Sequence, residues 1–269
     1  MKAGIAYNPK IPNALNKCKL IREELKRKGV EPSFMATISN LPPEAKCDVL
    51  VIVGGDGSML HSVRWLMKHD VPALGLKLGR LGFLMPYSFE EHEKAILDLV
   101  EGRLKETRLN LMSVEYGNIR EWALNDVVVE RFDSYRTLEV CVETSEGELC
   151  FLGDGVVVSS AVGSTAYNLA VGGAIVMPHL RVLQIAPMNV HGTLRTSVVI
   201  GEHEKLSVRL QDGTAKMVVD GYRVYKLDKG EEVLVSLSTR SVRILGSTNR
   251  TFFELLKRKF NYGVGKLRG

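Results

Sequence analysis

An α/β amino-terminal domain with a doubly wound parallel sheet, followed by an all-β, sandwich-like carboxyl-terminal domain, is the architecture this sequence predicts. Three observations predict it. Up to residue 102, strand-like apolar runs alternate with amphipathic helical stretches. From residue 103 the chain is mostly short strand-like segments punctuated by glycines such as Gly147, Gly201, Gly213, Gly221 and Gly230. Between two elements of the first part, the run Val49-Leu50-Val51-Ile52-Val53 enters Gly54-Gly55-Asp56-Gly57-Ser58 without a spacer. An unbroken apolar run of that length reads as a strand buried on both faces of a parallel sheet. The expected divisions are 1–102, 103–246, and a helical tail, 247–269, that packs back on the first domain.

In order, Lys2 to Tyr7 reads as a first parallel strand, ended by Asn8-Pro9. Residues 13–28 read as an amphipathic helix with Leu15, Cys18, Ile21 and Leu25 on one face and Gly29 as its carboxyl-terminal cap. Phe34 to Ile38 is a strand of weaker pattern, and Pro42-Pro43 marks a turn. After the glycine-rich turn, Met59 to Met67 shows helical apolar spacing, and His69-Asp70 ends that helix. Val71 to Leu76 is a further strand, Gly79 to Leu84 a glycine-punctuated loop, and residues 88–101 a helix with Ile96, Leu97 and Val100 inward. Strands are expected at 108–115, 122–131, 136–144, 148–152, 155–160, 181–186, 196–200, 205–211, 215–227 and 232–244, and a helix from Thr251 to Phe260.

Composition narrows the function. The 269 residues are 45% hydrophobic and 25% charged, as in an ordinary soluble chain. A net charge of +5 suits an anionic small molecule and is too diffuse to argue for nucleic acid. The lysines cluster in 17–28 and 257–266, which read as solvated helix faces. The four cysteines form no C-x-x-C pair and are expected to be reduced, partly buried thiols of a cytoplasmic protein. The first strand is too short for a secretory signal, and no apolar run approaches the roughly 20 residues of a membrane helix. The six histidines show no metal-ligand spacing, so no residue is assigned to a metal. G-x-x-x-x-G-K-[ST], H-E-x-x-H and G-x-S-x-G are absent, and no G-x-G-x-x-G follows the first strand.

What remains points to phosphate. Gly54 to Ser58 sits where a strand ends and a helix starts, at the edge where open α/β sheets bind ligands. Free amides at a helix start attract anions, and glycines let the main chain come close. Asp56 is the exception, since a carboxylate repels phosphate. It either caps the helix, accepts a proton or holds a metal. Asn125-Asp126 at a strand edge could read a ribose diol or a base edge, or form a bulge or turn. Gly153-Asp154-Gly155 has the composition of a hairpin turn. Ser159 to Tyr167 gathers hydroxyls, glycine and an aromatic at a strand-to-helix junction, and its plainer reading is a helix cap with Tyr167 in the core. Val219-Asp220-Gly221-Tyr222 reads as a turn.

Taken together, these motifs resemble the NAD kinase family. Gly-Gly-Asp-Gly-Ser after a strand is followed by Leu78-Gly79-Arg80-Leu81-Gly82-Phe83-Leu84, Leu124-Asn125-Asp126, Gly153-Asp154-Gly155 and Gly163-Ser164-Thr165-Ala166-Tyr167-Asn168-Leu169-Ala170-Val171-Gly172-Gly173. The first motif is shared with diacylglycerol and sphingosine kinases and 6-phosphofructokinases; the last is the specific one. The resemblance covers about residues 1–250. It implies an α/β nucleotide-binding domain and a β-rich NAD-binding domain with NAD between them. It also implies transfer of the γ-phosphoryl of ATP to the 2′-hydroxyl of the adenosine ribose of NAD. A divalent cation, Mg²⁺, would come with ATP, and the chain would form a homo-oligomer, a dimer or tetramer.

Carried over by position, Asp56 matches the proton acceptor, and Gly54, Gly55, Gly57 and Ser58 the phosphate-binding turn. Gly57, His61, Asn125, Asp126, Leu152, Asp154, Thr165, Ala166, Tyr167, Asn168 and Ala170 match substrate contacts. This chain departs at three of these places: Asp126 where Glu is commoner, and His61 and Leu152 where Arg or Lys is common. Two rivals remain: a lipid or sphingoid kinase using the same turn, and a non-catalytic NAD-sensing module.

Overall fold

A computed structural model describes the chain except residues 80–81, 133–136, 193–195, 248–250 and 262–269. The chain divides into two units, residues 1–108 with 242–269, and residues 109–241.

In the first unit, β1 (Lys2–Tyr7), α1 (Ala14–Arg27), β2 (Glu31–Thr37), β3 (Val49–Gly54), α2 (Asp56–His69), β4 (Ala73–Lys77), β5 (Tyr87–Ser88) and α3 (His92–Val100) follow in turn. The sheet runs β2-β1-β3-β4 and is parallel throughout. All six residues of β3 are buried, as its unbroken apolar run predicts. Cys18, Ile21 and Leu25 of α1 pack on β1 and β3 through Ile5 and Val51. Burying one such aliphatic side chain stabilises the fold by about 1.5–3 kcal/mol. The inward stripe of α1 starts at Ala14, four residues before Cys18, and Leu15 is exposed. In α3 Ala95, Ile96 and Leu99 are buried, whereas Val100, expected inward, is exposed at the helix end. Asp98 can be buried there because Tyr87 Oη (3.0 Å) and Arg103 Nε (3.0 Å) donate to it. Arg80 and Leu81 of the 79–84 loop lie outside the described residues.

β6 (Leu104–Tyr116) leads into the second unit, which continues with β7 (Ile119–Ala123), β8 (Asp126–Arg131), β9 (Leu138–Thr144), β10 (Gly147–Gly153), β11 (Gly155–Ser160), α4 (Tyr167–Ala170), β12 (Val182–Met188), β13 (Val198–Gly201), β14 (Lys205–Asp212), β15 (Thr214–Val219), β16 (Arg223–Asp228) and β17 (Glu232–Ser247). One antiparallel sheet runs β13-β12-β11-β8-β15-β16. Opposite it, β10-β9-β14 continues onto residues 232–236 of β17, and β6 pairs with β7. One apolar core draws Val127, Val158 and Met217 from the first sheet and Val140, Val208 and Val233 from the second, which makes a sandwich. The carboxyl-terminal α5 (Phe252–Phe260) is capped by Thr251, whose Oγ1 accepts from the Glu254 amide (3.3 Å).

Four expectations are corrected in this unit. The strand expected at 215–227 is two strands, broken where Asp220 (φ 50°) and Gly221 (φ 74°) take left-handed conformations. The strand expected at 122–131 is interrupted at Leu124-Asn125. Gly153-Asp154-Gly155 is no hairpin turn, because β10 pairs with β9 whereas β11 pairs with β8 and β12. Cys141 and Cys150 are not reduced: they stand opposite each other on β9 and β10 and form a disulfide. Cys18 and Cys47 remain thiols, and burial pushes the Cys18 thiol up to about 12.

Candidate active site

The glycine-rich turn of the first unit is shaped by its own serine. Gly55 is extended (φ −124°, ψ −178°) and caps α2. Its amide donates to Ser58 Oγ (3.1 Å), and the Ser58 amide donates to Gly55 O (2.8 Å). Two amides expected to face a phosphate, those of Gly55 and Ser58, are therefore engaged within the turn. The amides of Asp56 and Gly57 keep the open character of a helix's first turn. A Cβ on Gly54 would stand 2.2 Å from Ser58 Oγ, so only glycine fits there; Gly57 faces open space.

Asp56 is the first residue of α2 and not its cap. Its carboxylate turns to the loop after β4, where the Phe83 amide donates to Oδ2 (3.1 Å) and the Leu84 amide to Oδ1 (3.3 Å). A Cβ on Gly82 would lie 1.9 Å from Oδ1, so the glycine of that motif makes room for the acid. Lys77 Nζ lies 3.7 Å from Oδ1 and Lys259 Nζ 3.8 Å from Oδ2. Lys259 also stands over the Phe83 ring (4.5 Å), which packs on Phe252 and Phe260. Burial, and to a lesser degree the charge of Lys77, hold the Lys259 ammonium below its ordinary value against the attraction of Asp56. Sequence reasoning missed both lysines. His61 is exposed five residues on, about 140° round the helix from Asp56.

In the second unit, the break at Leu124-Asn125-Asp126 is held from both sides. Asp220 accepts from the amides of Leu124 (2.9 Å), Asn125 (2.7 Å) and Asp126 (3.4 Å). The carbonyls face Ser159 and Ser160: Ser160 Oγ donates to Leu124 O (2.6 Å), and the Ser160 amide (2.9 Å) and Ser159 Oγ (3.2 Å) donate to Asn125 O. A Cβ on Gly163 would stand 2.0 Å from Asn125 O. Arg223 ties the same turn to Trp122 O (2.7 Å) and to Glu121. Asp220 was missed as a site residue because Asp-Gly reads as a turn. Here it is a turn whose carboxylate is also a clamp.

Asp126 is 4% exposed, and no described residue donates to its carboxyl. Burial, and then the charge of Asp220, push it from 3.8 to about 7. Burial pushes Asp220 up as well, against the pull of its three amides and Arg223. Asp126 is thus the member of the pair whose surroundings favour its proton. The folded chain binds that proton more tightly than the unfolded chain. The stability it contributes is complete below about pH 4 and is lost as pH rises toward 7. Asp126→Asn is expected to flatten this part of the curve in thermal melts between pH 4 and 8. An unaltered slope would refute the assignment.

Asp154 pairs with Arg131 Nη1 (3.0 Å) and accepts from Asn189 Nδ2 (2.8 Å). Tyr167 is 41% exposed and not in the core. Burial of part of the ring raises its hydroxyl, followed by the fields of Glu130, Asp126 and Asp154. The fold thus brings Asp126, Asp154 and Tyr167 together. Thr165 is buried, Ala166 half-buried, and Ala170 and Leu152 exposed. Asn168, expected to extend the contact surface, is fully buried and donates to Ala174 O (3.4 Å), while Gly173 leaves room for its amide.

Comparisons with known proteins match both units. A family model described as ATP-NAD kinase N-terminal domain matches residues 13–104, and one described as ATP-NAD kinase C-terminal domain matches residues 124–247. The chain is 35% identical over 246 residues to an NAD kinase of Thermotoga neapolitana, covering 91% of this chain and 92% of that protein. Its fold is similar to the crystal structure of an NAD kinase from Archaeoglobus fulgidus in complex with ATP, with TM-score 0.80, 26% identity, and 96% and 98% of the two chains covered. It is also similar to yeast NADH kinase complexed with NADH, with TM-score 0.86, 20% identity, and 98% and 88% covered.

Proposed function

The chain belongs to the NAD kinase family, and on that premise we propose that it transfers the γ-phosphoryl of ATP to the 2′-hydroxyl of the adenosine ribose of NAD, giving NADP. One observation carries this reading. In a chain matching both halves of the family, the only acid of the glycine-rich turn is held by two amides at the carboxyl edge of the sheet. A lipid kinase would share the turn but gives no reason for the second unit's match. A binding module would not need Asp56 at all.

Phosphoryl transfer is mostly positioning and charge neutralisation, because its transition state is loose. Asp56 accepts the proton of the ribose hydroxyl late in the reaction, and its two amide donors, one on each oxygen, fix the orientation of the carboxylate. The open amides of Asp56 and Gly57 face phosphate oxygens. In the second unit, Asn125, Asp126, Asp154 and the surface of Thr165, Ala166 and Tyr167 contact NAD. His61, Leu152 and Ala170 border the substrates. Asn168 acts by bracing Ala174.

Among the described residues, the only group of three ligating side chains is Cys141, Glu148 and Cys150, and its cysteines are bonded to each other. Among the described residues no carboxylate cluster surrounds Asp56, so Mg²⁺ would be held by the donor's phosphate oxygens, whose charge it would neutralise. A homo-oligomer, dimer or tetramer, and a cytoplasmic location complete the proposal. The Cys141–Cys150 disulfide removes the thiol argument for that location. No described helix is long and apolar enough to cross a membrane. The deciding assay supplies purified protein with ATP, Mg²⁺ and NAD and reads NADP with an NADP-specific dehydrogenase. Saturable NAD binding with no ATP-dependent NADP would defeat the proposal.

A further inference from the structure

We propose that Lys77 and Lys259 bind the terminal phosphate of the donor, taking its charge beside Asp56; the inference rests on the NAD kinase reading above. Gly54 on β3 is in register with Lys77 on the adjacent parallel β4, so the lysine rises at the same sheet edge as the turn. Its Nζ lies 3.1 Å from where a Gly55 Cβ would stand. The ammonium therefore sits over the bare main chain that glycine opens to a ligand. Lys259 reaches the other carboxylate oxygen from the last turn of α5.

The two lysines meet Asp56 only at ion-pair range. The Phe83 and Leu84 amides donate to it at 3.1 and 3.3 Å, whereas the ammonium groups stand at 3.7 and 3.8 Å, beyond ordinary hydrogen-bond length. An ammonium carries three donors, so each lysine keeps donors for a further acceptor besides Asp56. With one carboxylate and two ammonium groups, the spot carries a net positive charge. Lysine is a compact point charge on a flexible stem, suited to following a phosphoryl group as it moves. Two such charges also offset the repulsion that Asp56 alone would exert on a triphosphate. Lys77 is largely buried and Lys259 a third exposed, so both are partly shielded from water, where a charge-assisted contact is stronger.

The test measures ATP, AMP and NAD affinities by calorimetry, together with steady-state kinetics, for Lys77→Met, Lys259→Met and the matching arginine variants. Each methionine variant is expected to lose about 10- to 100-fold in ATP affinity, the scale of one hydrogen bond to a charged group. AMP and NAD affinities are expected to stay within twofold, and arginine to restore part of the loss. ATP affinity within twofold of wild type in both methionine variants overturns the proposal. So does equal loss of ATP and AMP, which marks general damage. A higher kcat in Lys259→Met also overturns it, as that would make the lysine a lock on Asp56. Glutamine variants replace any methionine variant that fails to fold. The binding arm needs no turnover. If the wild type made no NADP, the NAD kinase reading would fail, while selective loss of ATP in the methionine variants would still uphold the lysines.

Discussion

Asp56→Asn is expected to lower kcat by about 10²- to 10⁴-fold while NAD affinity stays near wild type, because a positioned base is worth that much in rate. Asparagine keeps the size of the side chain and one acceptor oxygen. It cannot take a proton, and its amide nitrogen would face either the Phe83 or the Leu84 amide, donor against donor. The charge contacts of Lys77 and Lys259 lose their partner at the same time. Gly82→Ala is expected to reach a similar loss by another route, since its Cβ would collide with Oδ1 and turn the carboxylate away. Steady-state kinetics with calorimetric NAD binding separates rate from affinity. Turnover near wild type in Asp56→Asn would rule out the base.

Asp220→Ala is expected to destabilise the second unit by about 3–5 kcal/mol, the usual cost of removing one partner of a buried charged network. That corresponds to roughly 10–20 °C in melting temperature for a unit of this size. Three amides would lose their acceptor at once, those of Leu124, Asn125 and Asp126, and Arg223 its nearby charge. These amides set the main-chain path that carries Asn125 and Asp126, so the KM for NAD should rise in the folded fraction. Asp220→Asn keeps a carbonyl oxygen for two of the amides and should fall between. Thermal melts with and without NAD measure both effects. A melting point within 2 °C of wild type would show that the clamp is not what holds the break.

Much of the first unit was legible because its signals are local. A run of aliphatic residues, a glycine turn and a helical stripe within 20 residues specify β3, the turn and α2 without reference to the rest of the chain. The misread helix positions, Leu15 and Val100, lie at helix ends, where residues three and four away share the apolar stripe and packing chooses between them. The sandwich was legible as a class, since short strands broken by glycines have few other outcomes. Its pairings were not. Whether Gly153-Asp154-Gly155 joins a hairpin or passes between sheets depends on partners β8, β9 and β12, which the three residues do not encode. The disulfide is of the same kind, because Cys141 and Cys150 meet only through the register of β9 against β10.

By itself the sequence determined the two-part architecture, the acid in its glycine turn, and the family's motifs in order. Each is a matter of residue type and short spacing, where steric and hydrophobic rules act on neighbours. Only the tertiary structure decided what surrounds those motifs: the loop amides and two lysines on Asp56, the burial that pushes the Asp126 carboxyl upward, and the clamp of Asp220 on residues 94 to 96 positions earlier. Hydrogen bonding and charge act through space, and only the folded chain sets those distances.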